Sequence, residues 1–122
     1  MKIVFNNTEP IYQQIINYFL HAVARQEFKP GEKLPSVREL AALLKVNPNT
    51  IVRVYQELER EGYLEKHRGL GTFLSEDSAK WDSLKEDLAL KASEDFVNVM
   101  TELGYPEKQA SSFLEKYLQR RS

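Results

Sequence analysis

Two helix-start signals stand close together in this chain, and only a pair of short helices joined by a tight turn satisfies both. The first is Ser36-Val37-Arg38-Glu39, the Ser-x-x-Glu pattern in which hydroxyl and carboxylate each satisfy an orphan backbone donor. The second is Asn47-Pro48, a capping residue followed by proline at the first helical position. After the first signal, Val37, Leu40, Ala41 and Leu44 recur at helical spacing on one face. About three or four residues are left for the connection, which suits a helix-turn-helix. An ordinary helical hairpin has the same outline, so the outward faces must decide.

Stepping around the second helix at ~100° per residue puts Ile51, Val54, Tyr55 and Leu58 on one side. Asn49, Arg53, Gln56 and Arg60 fall opposite, with Val52 at their edge and Thr50 at the other margin. Asn, Gln and Arg pair bidentately with base edges, and Thr bonds a phosphate or packs on a thymine methyl. A merely solvated face is more often rich in Glu and Lys. This one is amide-rich toward its start, where a recognition helix enters the major groove. Asn47, at that start, is grouped with these DNA-binding candidates.

Composition bounds the reading. The 122 residues make one domain, or one small domain with an appendage. Formal net charge is −1, so no global basic field announces nucleic acid. The charge is segregated, however. Residues 29–74 hold eight Lys/Arg against six Asp/Glu, and residues 75–122 hold seven against ten. There is no cysteine, hence no disulfide framework and no thiolate metal site. No signal-peptide core appears near Met1, and no apolar run approaches ~20 residues. A cytoplasmic location with no membrane partner is expected.

Ahead of the paired helices, Ile3, Val4 and Phe5 form a short apolar strand or arm. Thr8-Glu9-Pro10 reads as a helix start, with Thr8 as cap and Pro10 in the first turn. Ile11, Tyr12, Ile15, Ile16, Phe19, Leu20 and Val23 then make a wide apolar stripe. Lys29-Pro30-Gly31 turns the chain. Gly62 ends the second paired helix. Residues 63–67 and 72–74 read as strands around the glycine-bracketed turn Arg68-Gly69-Leu70-Gly71. Three helices and a hairpin make a mainly α winged helix-turn-helix, expected over 1–75. The wing tip carries Lys66, His67 and Arg68, and a basic tip suits a narrow minor groove. A solvated hairpin with incidental charge is the plainer alternative.

From about Ser78, residues Trp81, Leu84, Leu88, Ala92, Phe96, Val99 and Leu103 repeat at spacings of three and four, as in an amphipathic helix of roughly 20 residues. Gly104 ends it. Pro106 starts another, with Ala110, Phe113, Leu114, Tyr117 and Leu118 on one face. Two helices of this size enclose no core alone. A helical dimerisation region over 76–122 is therefore expected, with Trp81, Leu84, Leu88, Phe96, Val99, Leu103, Phe113 and Tyr117 facing a second copy. The aromatics Trp81, Phe96, Phe113 and Tyr117 pack that interface, or else line a small hydrophobic effector pocket.

Three spaced motifs resemble those of the GntR family of bacterial transcription regulators. They are Pro30-Gly31-x-x-Leu34-Pro35-Ser36-x-Arg38-x-Leu40-Ala41, then Val46-x-x-x-Thr50-x-x-Arg53-x-Tyr55-x-x-Leu58-Glu59-x-x-Gly62, then Gly69-x-Gly71-Thr72-Phe73. The match covers roughly residues 9–75. The two-helix tail looks like that of the YtrA subfamily, whose members dimerise through it and are often linked to ABC transporter genes. The resemblance implies a homodimer, usually a repressor, on an inverted-repeat operator. It places Arg38, Asn49, Thr50, Arg53, Arg68 and Gly69 on DNA; Gln56 and His67 join them from the helix face and the wing tip. Val52 departs from the family, standing where some members carry a basic residue.

An enzyme is not expected. His21 sits on the first helix and His67 on the wing, with nothing placing either beside a nucleophile, and no catalytic residue, cofactor or metal site is assigned. The serious rival is a winged helix used for protein–protein contact, to which Asn49, Arg53 and Arg68 would be dispensable. A winged helix reading RNA is a weaker third.

Overall fold

The computed structural model describes residues 2–122; Met1, the first residue of the expected arm, lies outside them. The elements run α1 (Ile11–Ala24), α2 (Val37–Leu44), α3 (Pro48–Arg60), β1 (Leu64–His67), β2 (Gly71–Leu74), α4 (Ser78–Glu102) and α5 (Glu107–Arg121). The chain forms two compact units, Met1–Leu84 and Lys85–Ser122.

The capping chemistry read from the sequence builds the α2–α3 corner. Glu39 N–H donates to the Ser36 hydroxyl, and Ser36 N–H donates to the Glu39 carboxylate, both at 3.1 Å. That hydrogen bonding holds the Glu39 carboxyl below its usual range. Lys45 closes α2 in the left-handed region (φ 56°), which tightens the turn to residues 45–47. The Asn47 side chain then accepts the Asn49 N–H at 2.8 Å, and Pro48 opens α3. At the far end, Gly62 (φ 84°) completes a Schellman ending: its N–H bonds Glu59 O at 2.9 Å, and Tyr63 N–H bonds Leu58 O at 2.8 Å.

The start of α1 differs from expectation. Thr8 does not cap it; its hydroxyl donates to Asn6 Oδ1 at 2.8 Å, and the residue before the helix is Pro10, whose carbonyl takes the first helical N–H groups. The residues before it form no strand. Instead the buried Gln14 side chain pins them to α1, accepting from Asn6 N–H at 3.0 Å and donating to Asn6 O at 3.0 Å and Glu9 O at 2.8 Å. An amide that satisfies local backbone holds an arm without a ladder partner. Ile3 and Phe5 are half-buried, while Val4 faces solvent.

The wing is antiparallel, Leu64 opposite Leu74 and His67 opposite Gly71. It gains a third edge that the sequence did not suggest. Lys33 bridges Phe73, Leu34 N–H donates to Thr72 O at 2.8 Å, and Leu74 N–H donates to Glu32 O at 2.8 Å. These bonds tie the hairpin to the segment leading into α2, so the wing shares a rigid base with the helix pair.

The core of the first unit is Ile15, Phe19 and Ala22 of α1, Leu40, Ala41 and Leu44 of α2, Ile51, Val54, Tyr55 and Leu58 of α3, and Leu34, Leu64 and Leu74. Phe19 stacks on Phe28 (ring centres 5.7 Å apart) and meets Tyr55 edge-on at 6.3 Å. Tyr55 donates to Pro35 O at 2.8 Å, satisfying its hydroxyl inside the core.

Two residues expected at the dimer face are instead buried in the first unit. Trp81 stacks on Tyr63 with ring centres 5.1 Å apart and donates its indole N–H to Ser75 O at 2.8 Å. Trp81 and Leu84 are both 6% exposed. Lys80 adds to the junction, donating to Glu61 O at 2.7 Å with its ammonium 4.7 Å from the Tyr63 ring centre. The reason is the hairpin's geometry: Tyr63 and Ser75 flank its open end, and the first turn of α4 covers it. The compact unit therefore runs past residue 75, to Leu84.

In the second unit Gly104 (φ 96°) ends α4 as expected, with Gly104 N–H on Thr101 O and Tyr105 N–H on Met100 O, both at 3.0 Å. Met100 and Ala110 are buried near this turn. A groove of about 450 Å³ lies between α4 and α5, lined by Ala92, Phe96, Val97, Ala110 and Leu114 with Glu107 at its side. Of the four aromatics considered for an effector pocket, Phe96 lines it; Trp81, Phe113 and Tyr117 do not.

Burial pushes the Tyr55 hydroxyl well above its ordinary range, with the Glu39 charge adding to the shift. A raised value in the folded state means that this stabilisation is complete below the unfolded tyrosine value of ~10 and is lost as pH climbs beyond it. Tyr55→Phe should cost about 1–2 kcal/mol at neutral pH and show a shallower alkaline loss than wild type, read by urea unfolding at neutral pH and near pH 11. A chain cut after residue 84 should melt cooperatively. One cut after residue 75 loses the Trp81 cover and should be less stable by about 3–5 kcal/mol, the cost of deleting a large buried aromatic.

Candidate nucleic-acid interface

Burial of Ile51, Val54, Tyr55 and Leu58 forces the other side of α3 outward. Asn49, Val52, Arg53 and Gln56 are exposed there and Thr50 is half-buried. No hydrogen bond engages the side chains of Asn49 or Gln56 among the described residues, so their amide donors and acceptors are open to a ligand. Asn47 sits at the head of the helix with its oxygen committed to the cap.

The second arginine on this side is differently placed. Arg60 is held by Glu57 at 2.6 Å and lies 3.9 Å from Glu61, pairs that raise its guanidinium above its ordinary range. Exposed pairs of this kind add little stability, but they turn the charge back onto the protein's own surface. That leaves Arg53 as the cation of α3 without a carboxylate partner among the described residues.

Arg53 is not free of contact. Its guanidinium carbon lies 3.6 Å from the centre of the Tyr12 ring on α1. Ile11, Tyr12, Asn49, Thr50 and Arg53 together line an open depression of about 400 Å³. Sequence reasoning put Tyr12 in the apolar stripe of α1 and missed this role. In the structure Ile11 is 45% exposed and Tyr12 half-buried, so the stripe's first two residues stand at the margin of the core.

Arg38 is exposed in the first turn of α2 and enters no ion pair among the described residues. On the wing, Leu70 N–H donates to His67 O at 2.8 Å, a turn with Gly69 at its third position and φ 80°. Only glycine adopts that angle without strain, and a Cβ there would meet nothing within 4 Å. The turn therefore presents Arg68 and a bare backbone outward. His67 has partners inside the wing: its ring stacks on Phe73 at 4.6 Å and its Nε2 lies 3.2 Å from Glu65. Lys66 faces Glu59 at 3.9 Å. Of the three basic tip residues, Arg68 is the one with no carboxylate beside it among the described residues.

Among the described residues no group of histidines and carboxylates is placed to hold a metal, and no helix is long and apolar enough to cross a membrane. The arrangement offers hydrogen-bonding amides, unpaired guanidiniums and an open backbone, the equipment for a polyanion with readable edges.

Comparison with known proteins agrees. The family model described as bacterial regulatory proteins, gntR family, matches residues 11–74. The HTH-type transcriptional regulator YhcF of Bacillus subtilis is 47% identical over 105 residues, covering 86% of this chain and 87% of that protein. The HTH-type transcriptional repressor YtrA of the same organism is 46% identical over 88 residues, 67% of this chain and 68% of that one. A solved GntR family transcriptional regulator from Listeria monocytogenes superposes with a TM-score of 0.85 at 38% identity, covering 92% of this chain and 98% of its own.

If Asn49 reads a base edge, Asn49→Ala should lose about 1–3 kcal/mol of discrimination at one position of the bound sequence. Arg38→Ala and Arg68→Ala should weaken binding to every duplex and each reduce the salt slope by about one, as loss of a phosphate contact does. Titrations of matched and single-base-variant duplexes over a range of salt measure both quantities.

Proposed function

The chain belongs to the gntR family of bacterial regulatory proteins and is a DNA-binding transcription regulator, and we propose that it acts as a homodimeric repressor on an inverted-repeat operator. The observation that carries the dimer is the tail. Val99, Leu103, Phe113, Tyr117 and Leu118 are each 50% exposed or nearly so, with Leu103 at 68%. So much large apolar surface on two consecutive helices favours association. A second copy is the natural cover, because each DNA-binding unit reads one half-site and two-fold symmetry pairs two of them. The interface is assigned to Leu88, Phe96, Val99, Leu103, Phe113 and Tyr117, without Trp81 and Leu84.

Repression is supported by the likeness to the transcriptional repressor YtrA of Bacillus subtilis. The likeness to that subfamily directs the search for targets to ABC transporter genes. Operator recognition is assigned to the exposed side of α3, with Arg38 and the Arg68-Gly69 turn on the flanking backbone or minor groove.

Selection of bound sequences from random duplex DNA should return an inverted repeat with half-sites centred about 10 bp apart. The full chain should sediment as a dimer and residues 1–84 as a monomer. The shortened chain should lose operator affinity by as much as ~10²–10⁴, the avidity of two linked sites. A dimeric 1–84 fragment would move the interface onto the first unit, and protection of a single asymmetric half-site would rule out the two-fold model.

A further inference from the structure

The stack of Arg53 on Tyr12 joins α1 to the exposed side of α3, and it shapes how that side meets DNA. An exposed arginine samples many rotamers, and all but one must be given up when it meets a base or phosphate. A ring 3.6 Å from the guanidinium carbon removes much of that freedom beforehand. The attraction uses the flat face of the guanidinium, while its N–H donors project from the rim. No carboxylate occupies that rim among the described residues. Asn49 stands one helical turn before Arg53 and Thr50 three residues before it, so the three share a side and line one depression with Ile11 and Tyr12.

We propose that Tyr12 is a positioning residue for sequence readout: its aromatic face holds the Arg53 guanidinium in place, with the donor rim presented beside Asn49 and Thr50. This rests on the assignment of Arg53 to the DNA face. Two features give the stack weight in this chain. Val52, the neighbouring position, is apolar, and Arg60 is bound by Glu57 at 2.6 Å, so the cationic readout of α3 falls on Arg53. Tyr12 thereby recruits α1, which carries no other assigned DNA residue, into the specificity of α3.

The test is a double-mutant cycle on the full chain, using as probe a duplex selected by the wild-type protein and its single-base variants. Tyr12→Leu should raise Kd for the selected duplex by roughly two- to five-fold, the value of an exposed cation–π contact, and should narrow the gap between selected and variant duplexes. Tyr12→Phe, which keeps the ring and loses the hydroxyl, should bind as wild type. In an Arg53→Ala background Tyr12→Leu should have no further effect, because there is nothing left to position. Tyr12→Met serves as the second ringless variant if Tyr12→Leu lowers the melting temperature. A loss with Tyr12→Phe as large as with Tyr12→Leu would overturn the proposal in favour of a direct hydroxyl contact. An equal loss with Tyr12→Leu in both backgrounds would overturn it too, showing that the ring acts without Arg53. Should Arg53→Ala itself bind as wild type, the DNA assignment of Arg53 falls and the positioning role falls with it; a weakened Arg53→Ala without coupling removes the positioning role alone.

Discussion

One buried row on α3 holds the first unit together. Ile51 and Val54 are fully excluded from water, and Tyr55 and Leu58 nearly so. Burial of each such side chain is worth about 1.5–3 kcal/mol, which makes this row the largest single commitment of the helix. It packs α3 against α1, α2 and the first wing strand at once. A helix has one rotation about its axis. Once that row faces inward, Asn49, Arg53 and Gln56 have nowhere to go but outward, and the exposed side of α3 is a consequence of the core. Tyr55 sharpens the constraint, since its hydrogen bond to Pro35 O satisfies the row's one buried hydroxyl and anchors α3 to the entry of α2.

Around that row, helix ends set the distances. The capping box at Ser36, the left-handed Lys45 and the Asn47 cap place α2 and α3 with three residues between them. The Gly62 ending turns the chain into the wing, and the Lys33–Leu34 edge ties the wing back to the start of α2. Each device satisfies backbone groups that would otherwise be orphaned. Their combined effect is that Arg38, α3 and the Arg68-Gly69 turn belong to one rigid frame. A regulator that reads sequence needs such a frame, because base contacts discriminate only when their geometry is preset.

Charge is handled residue by residue. The chain is nearly neutral overall, so affinity for a polyanion has to come from which cations are left unpaired. Among the described residues Arg60, Lys66 and His67 face carboxylates of their own surface, while Arg38, Arg53 and Arg68 do not. The second unit, Lys85–Ser122, is nearly balanced, with seven Asp/Glu against six Lys/Arg, and it carries the exposed apolar row.

The short-range features were determined by the sequence alone. Both caps of the helix-turn-helix, the spacing between its helices, the buried and exposed sides of α3, the glycine turn of the wing and the ends of α4 follow from neighbours within a few residues, where propensity and periodicity act. What depends on distant partners was decided by the tertiary structure. The periodicity that places Trp81 and Leu84 on one stripe with Phe96 and Leu103 is blind to where that stripe changes partner; the open end of the hairpin at Tyr63 and Ser75 takes Trp81 for the core of the DNA-binding unit. Tyr12 likewise reads as one more apolar residue of α1 until α3 brings Arg53 to its face. Which arginine pairs with a carboxylate, and which does not, is also a property of the folded surface. A pattern along the chain records which residues prefer to be buried, and only the fold records against what.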